Sequence, residues 1–171
     1  MKGYIQVYTG DGKGKTTAAF GLALRAVGAG KKVFIAQFIK GKPYSEIDAV
    51  NKYIPKITVK QYGLDCFIYT QPTTADITAA RTGLAEVAEI VAAKKYDVVV
   101  LDEICIALYY NIFSVPEVVK ILTTKPEQTE IIVTGRYAPN EIIAVADLVT
   151  EMREVKHYYT KGVEARKGIE F

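Results

Sequence analysis

Histidine is almost missing from this sequence: His157 stands alone among 171 residues, tryptophan is absent, and cysteine occurs twice, as Cys66 and Cys105. With one histidine there is no nucleophile–base constellation to support covalent or general-base catalysis. The cysteines lie in apolar or aromatic surroundings without CxxC spacing, so small buried thiols in a reducing compartment are expected rather than a disulfide or a metal pair. Long apolar runs are missing too. The most apolar stretch, 98–108, is interrupted by Asp102 and Glu103 and is far shorter than the ~20 residues that cross a bilayer. A formal net charge of only +3 falls short of the basic stripe that nucleic acid calls for, although it suits a polyphosphate ligand. The opening 1–8 runs directly into a strand pattern, so no signal peptide is expected. A cytoplasmic protein with neither membrane nor nucleic-acid partner is the resulting expectation.

What is present is apolar and regularly patterned. Half of the residues are hydrophobic, and a chain of this length can bury roughly 70% of its unfolded surface, so one domain over 1–171 is expected. Short β-rich runs at 4–9, 32–38, 57–62, 97–102, 130–134 and 147–151 read as strands. Helical spacing lies between them at 16–29, 45–53, 75–95, 115–122 and, more weakly, 141–145. Runs such as Val98-Val99-Val100-Leu101 suit strands covered on both faces, which predicts an α/β fold with a mostly parallel central sheet flanked by helices. Ligands then bind beyond the carboxyl ends of the strands. The loops 40–45 and 63–74 are the least patterned segments.

One such strand end carries a phosphate loop. A strand closes at Thr9, glycines follow at Gly10, Gly12 and Gly14 with Asp11 and Lys13 between them, Lys15 is next, and a helix opens with Thr16-Thr17. Glycines let backbone N–H groups turn around phosphate oxygens, the helix N-terminus adds partial positive charge, Lys15 neutralises further oxygens, and the Thr16 hydroxyl can ligate magnesium. The spacing is one residue short of the usual pattern, because Thr9 holds the usual position of the first glycine. A shortened loop can hold a triphosphate in another register, so transfer of the terminal phosphoryl group does not follow from the motif.

A second acidic element, Asp102-Glu103, ends an apolar strand. Magnesium accepts one or two carboxylates along with phosphate oxygens, so either residue could complete a site with Thr16, directly or through water. The strand 130–134 ends in Gly135-Arg136, where a guanidinium could clamp phosphate oxygens; a surface arginine is the alternative. Arg25, nine residues beyond Thr16, falls on the opposite face of its helix, so it would reach the phosphates only indirectly or from a neighbouring subunit.

These residues together resemble the ATP:corrinoid adenosyltransferases, which convert cob(I)alamin to adenosylcobalamin. The stretch from Thr9 through Gly21 looks like that family's signature, shortened loop included. Leu101-Asp102-Glu103, Thr134-Gly135-Arg136, 146–152, Lys156-His157 and Gly168-Ile169-Glu170 resemble later family motifs in order, so the similarity spans 3–171. The resemblance implies a P-loop NTPase-like (recombinase-like) fold, ATP as co-substrate and cob(I)alamin as substrate. It also implies Mg2+ or Mn2+, a homodimer, and a reductase or flavoprotein that supplies Co(I). Gly10 to Thr16 would hold the triphosphate with help from Thr17, Thr16 and Glu103 would ligate magnesium, and Arg25 and Arg136 would contact nucleotide. Relatives often carry a Phe and a Trp in a corrinoid-contacting loop where this chain has Cys66-Phe67-Ile68-Tyr69. Tyr62, Phe67 and Tyr69 are the candidates for that face, with an apolar core role as the alternative. His157 reads as structural, since a cobalt ligand would oppose formation of the nucleophile.

Overall fold

The computed structural model describes residues 2–41, 44–64 and 71–171. Six strands form one sheet: β1 Ile5–Thr9, β2 Val33–Phe38, β3 Ile57–Tyr62, β4 Val98–Asp102, β5 Glu130–Thr134 and β6 Leu148–Glu151. Every pairing is parallel, in the order β3-β2-β4-β5-β1-β6. The helices are α1 Lys15–Gly28, α2 Ser45–Tyr53, α3 Thr74–Ala92, α4 Ile104–Tyr109, α5 Val115–Thr123 and α6 Asn140–Val145, followed by a 3-10 turn at Tyr158–Lys161.

Successive strand residues point to opposite faces, and this divides the interior into two cores. Phe34, Ala36, Phe38, Val99, Leu101, Ile131 and Val133 face one side, where residues of α3, α4, α5 and α6 cover them. Val33, Ile35, Val98, Val100 and Ile132 face the other, under α1 and α2. α1 presents Ala19, Ala23 and Ala26, all buried, so its backbone lies close over β4 and β5. That approach carries the start of α1 towards the end of β4, although β5 separates β4 from β1 in the sheet.

The strand boundaries follow the apolar runs within one residue, and the helix at 45–53 is found unchanged. α4 was not expected. Its six residues, Ile-Cys-Ile-Ala-Leu-Tyr, are mostly buried, so they carry no amphipathic period by which to recognise a helix. It starts directly after Glu103, whose φ of 59° turns the chain sharply out of β4. Among the described residues no helix is long and apolar enough to cross a membrane.

Candidate functional site

The carboxyl ends of β1, β2, β4 and β5 open into a cavity of about 1030 Å³. Asp11, Gly12, Lys13, Gly14, Lys15, Thr16 and Thr17 line one end of it, and Lys40, Tyr44, Glu103 and Arg136 line its sides. The helix α1 begins without a side-chain cap and without an acidic residue in its first turn. Its leading N–H groups are thereby left to a ligand, with the helix dipole favouring an anion.

The loop's glycines answer two demands. Gly10 and Gly14 have φ of 93° and 120°, the left-handed side of the map where other residues are strained. Gly10 and Gly12 also lie against the chain leaving β6: a Cβ would come within 2.5 Å and 2.7 Å of the Met152 carbonyl oxygen. The Gly12 N–H donates to that same oxygen at 2.7 Å. Lys15 folds back over the loop, donating to the carbonyls of Gly10 at 2.6 Å and Gly12 at 2.7 Å, and burial lowers its pKa. Arg136 reaches the loop from the other side, 3.3 Å from the Asp11 carbonyl oxygen.

Asp102 is the most heavily bonded side chain of the site. Fully buried, it accepts from Thr16 Oγ1 at 2.9 Å and Thr134 Oγ1 at 2.7 Å on one oxygen, and from Gln37 Nε2 at 3.0 Å and Lys40 Nζ at 2.9 Å on the other. Burial alone would raise this carboxyl, but the Lys40 ammonium and the hydrogen bonds from Lys40, Thr134 and Thr16 outweigh it and hold the group below its ordinary value. Glu103 goes the other way: burial raises it more than Lys40 lowers it, and the neighbouring Asp102 adds to the rise. Two carboxylates and a hydroxyl thus converge at the mouth of the phosphate loop. Among the described residues no three His, Cys, Asp or Glu side chains gather to hold a metal ion. Carboxylate and hydroxyl oxygens are the donors a hard cation takes when phosphate and water supply its remaining ligands.

The expected loop residues, Asp102, Glu103 and Arg136 are brought together. The remaining candidates, Arg25, Tyr62, Phe67 and Tyr69, stand apart from this group or outside the described residues. Arg25 is exposed in the last turn of α1, roughly 13 Å along the helix from Thr16 at 1.5 Å per residue, and does not line the cavity. Tyr62 is a core residue: paired with Phe38 in the sheet register, it stacks on that ring at 5.7 Å, packs over Gly83 and donates to Glu86 Oε2 at 2.8 Å. The packing that fixes it is the alternation of β3, which turns Tyr62 towards α3. Phe67 and Tyr69, with Cys66, lie outside the described residues.

Lys40 escaped the sequence reading, and the C-terminal segment was read as a motif without a task. Lys40, two residues past β2, enters the acidic cluster; its position beyond a strand's carboxyl end was the available signal. In the C-terminal segment, Glu170 and Tyr158 hold the Lys13 ammonium, with Lys13 Nζ 2.7 Å from Glu170 Oε1 and 3.1 Å from the Ile169 carbonyl oxygen. Ser45 Oγ holds the Phe171 carbonyl at 3.0 Å. His157 also lines the cavity, where its Nδ1 accepts from the Tyr159 N–H at 3.1 Å.

The architecture is shared with the flagellar accessory protein FlaH from Methanocaldococcus jannaschii, at a TM-score of 0.58 and 15% identity over 88% of this chain and 71% of that one. This likeness is one of fold, an all-parallel sheet flanked by helices. Corrinoid adenosyltransferase of Escherichia coli strain K12 is 40% identical over 171 residues, covering 99% of this chain and 86% of the relative. Corrinoid adenosyltransferase CobA of Salmonella typhimurium strain LT2 is 39% identical with the same coverage. Residues 1–171 match the family described as ATP:corrinoid adenosyltransferase BtuR/CobO/CobP. The phosphate loop of one residue fewer, the acidic end of β4 and the full-length match together mean that this chain belongs to the ATP:corrinoid adenosyltransferases.

Proposed function

We propose that the cavity binds ATP with magnesium, triphosphate towards the loop, and that the chain transfers the 5′-deoxyadenosyl group to the Co(I) of a reduced corrinoid. The observation that carries this reading is the convergence of the loop, Lys15, Thr16, Glu103 and Arg136 on one cavity. In the reaction a cobalt–carbon bond forms at C5′, the C5′–oxygen bond breaks, and triphosphate leaves with the electron pair. Co(I) carries no proton, so no general base is needed, in keeping with the single histidine of the chain.

The protein's work is then positioning and stabilisation of a leaving polyanion. Lys15 exchanges its loop carbonyls for phosphate oxygens, Arg136 closes on the triphosphate from the end of β5, and the N–H groups at the start of α1 complete the cradle. Magnesium, held by Thr16 and Glu103 with Asp102 orienting the Thr16 hydroxyl, would neutralise the triphosphate. Phe67 and Tyr69 remain the candidates for the corrinoid face. A homodimer, a cytoplasmic location and a reductase or flavoprotein as the source of Co(I) complete the proposal.

The test is an anaerobic assay with ATP, magnesium and chemically reduced cobalamin, following the corrinoid spectrum and the phosphate product. Adenosylcobalamin with stoichiometric triphosphate is expected. ADP and phosphate without a corrinoid change would instead make the chain a hydrolase, with Glu103 activating water.

A further inference from the structure

Lys40 has no part in the reading above, yet its ammonium stands where the cation-binding groups meet. Its Nζ is 3.0 Å from Thr16 Oγ1, 2.9 Å from Asp102 Oδ2 and 3.8 Å from Glu103 Oε1. A metal ion bound by Thr16 and Glu103 and this ammonium would compete for the same small volume. The lysine is also well enclosed, its side chain 14% exposed, which sets it apart from a solvated surface cation.

Resting on the magnesium reading, we propose that Lys40 is the resident cation of the nucleotide-free site: the metal enters by displacing its ammonium, which then turns to the incoming triphosphate. Electrostatics require such an exchange. Asp102 is fully buried, and a buried carboxylate left without a partner is strongly destabilising. Lys40 supplies that partner before the metal arrives. A site already compensated has little affinity for a free divalent ion, and it gains affinity when a polyanion offers the displaced ammonium a new partner. The metal therefore loads together with the nucleotide.

The backbone is built to aim this side chain. Ile39, immediately before it, has φ of 61°, a conformation that a β-branched residue adopts only under constraint. Close backbone contacts supply that constraint: a Cβ on Gly63 would lie 2.5 Å from the backbone nitrogen of Lys40, and one on Gly41 2.4 Å from the Leu64 carbonyl carbon. Lys40 itself lines the cavity, so the ammonium can reach phosphate there by side-chain rotation.

The experiment is Mn2+ binding followed by electron paramagnetic resonance, with and without ATP, on the wild type, Lys40→Met, Lys40→Gln and Glu103→Gln. Without nucleotide, both Lys40 variants should bind Mn2+ about tenfold more tightly than the wild type, since a unit positive charge within 4 Å is removed. With ATP they should bind the Mn2+–nucleotide complex more weakly, having lost a phosphate-facing cation. Lys40→Gln keeps an N–H donor for Asp102, so it serves if the Met variant does not fold. Nucleotide-free affinity unchanged or weakened in the Lys40 variants overturns the displacement, even when Glu103→Gln weakens the Mn2+–ATP complex and so upholds the metal site. If Glu103→Gln leaves Mn2+–ATP binding untouched, the magnesium reading fails and the role of Lys40 falls with it.

Discussion

Lys15 combines two properties that bear on catalysis. The residue is 8% exposed and its ammonium is bonded only to loop carbonyls among the described residues, so it is stored beside the phosphate site at a lowered pKa. Lys15→Ala should lower turnover by about 10²–10³, the range found when one donor to a developing anion is removed; unchanged turnover in the cobalamin assay would end its role. Cys105 shows the opposite kind of burial. Its thiol is pushed up to about 12 by burial and then by the nearby Glu103, and its Cβ fills the space beside Gly135, where another Cβ would come within 2.7 Å. The thiolate is the reactive form, so alkylation with iodoacetamide at pH 8, read by mass spectrometry, should leave Cys105 unmodified until the chain is unfolded. Much of the site could be read residue by residue because the phosphate loop is contiguous: seven adjacent positions state its chemistry. Lys40 and Asp102 are 62 positions apart; their places at strand ends put both on one rim but do not announce that they touch.

Among the elements, those built from long apolar or amphipathic patterns were legible and those built by burial or by distant contacts were not. The strands follow their aliphatic runs, whereas α4 is a short helix that only tertiary packing reveals. The C-terminal segment is legible as a motif, Gly168-Ile169-Glu170, but its task emerges only from contact with Lys13. Hydrogen bonds from Lys13, Tyr158 and Arg166 hold the Glu170 carboxyl far below the usual carboxylate range. A depressed folded value means that the contribution of Glu170 to docking is fully present above the ordinary carboxylate pKa and is lost as the pH falls through the depressed one. The Arg166 amide, 2.7 Å from Glu170 Oε2, should therefore keep its docked NMR shift at pH 5 and lose it only in strong acid. Glu170→Gln removes the charge that binds Lys13 and Arg166. Trypsin should cut after Arg166 several times faster in that variant at pH 8, and equal rates would show that other contacts hold the segment.

On the scale of the whole molecule, ligand binding and stability are linked, because only the folded chain brings β1, β4 and β5 to a common rim. A ligand at a hundred times its Kd adds about 2.7 kcal/mol, and each kcal/mol moves the midpoint of a domain this size by about 2–4 °C. ATP with magnesium at that concentration should raise Tm by about 5–10 °C in differential scanning fluorimetry. The shift should shrink in Lys15→Ala, and its absence in the wild type would mean that the cavity does not take the nucleotide.

An all-parallel sheet has two unlike rims. The functional groups stand on the carboxyl rim, while the amino rim is closed by bonds of its own, such as Lys125 Nζ to the Gly3 carbonyl at 2.7 Å and the Lys32 N–H to Asp97 Oδ2 at 2.8 Å. Lys94 and Lys95, exposed in the turn that leads into β4, lie a strand's length from the cavity, about 17 Å for five residues. A surface tether or a fluorescent reporter attached there would leave the cavity facing outward, so the molecule can be immobilised for binding measurements without obstructing it.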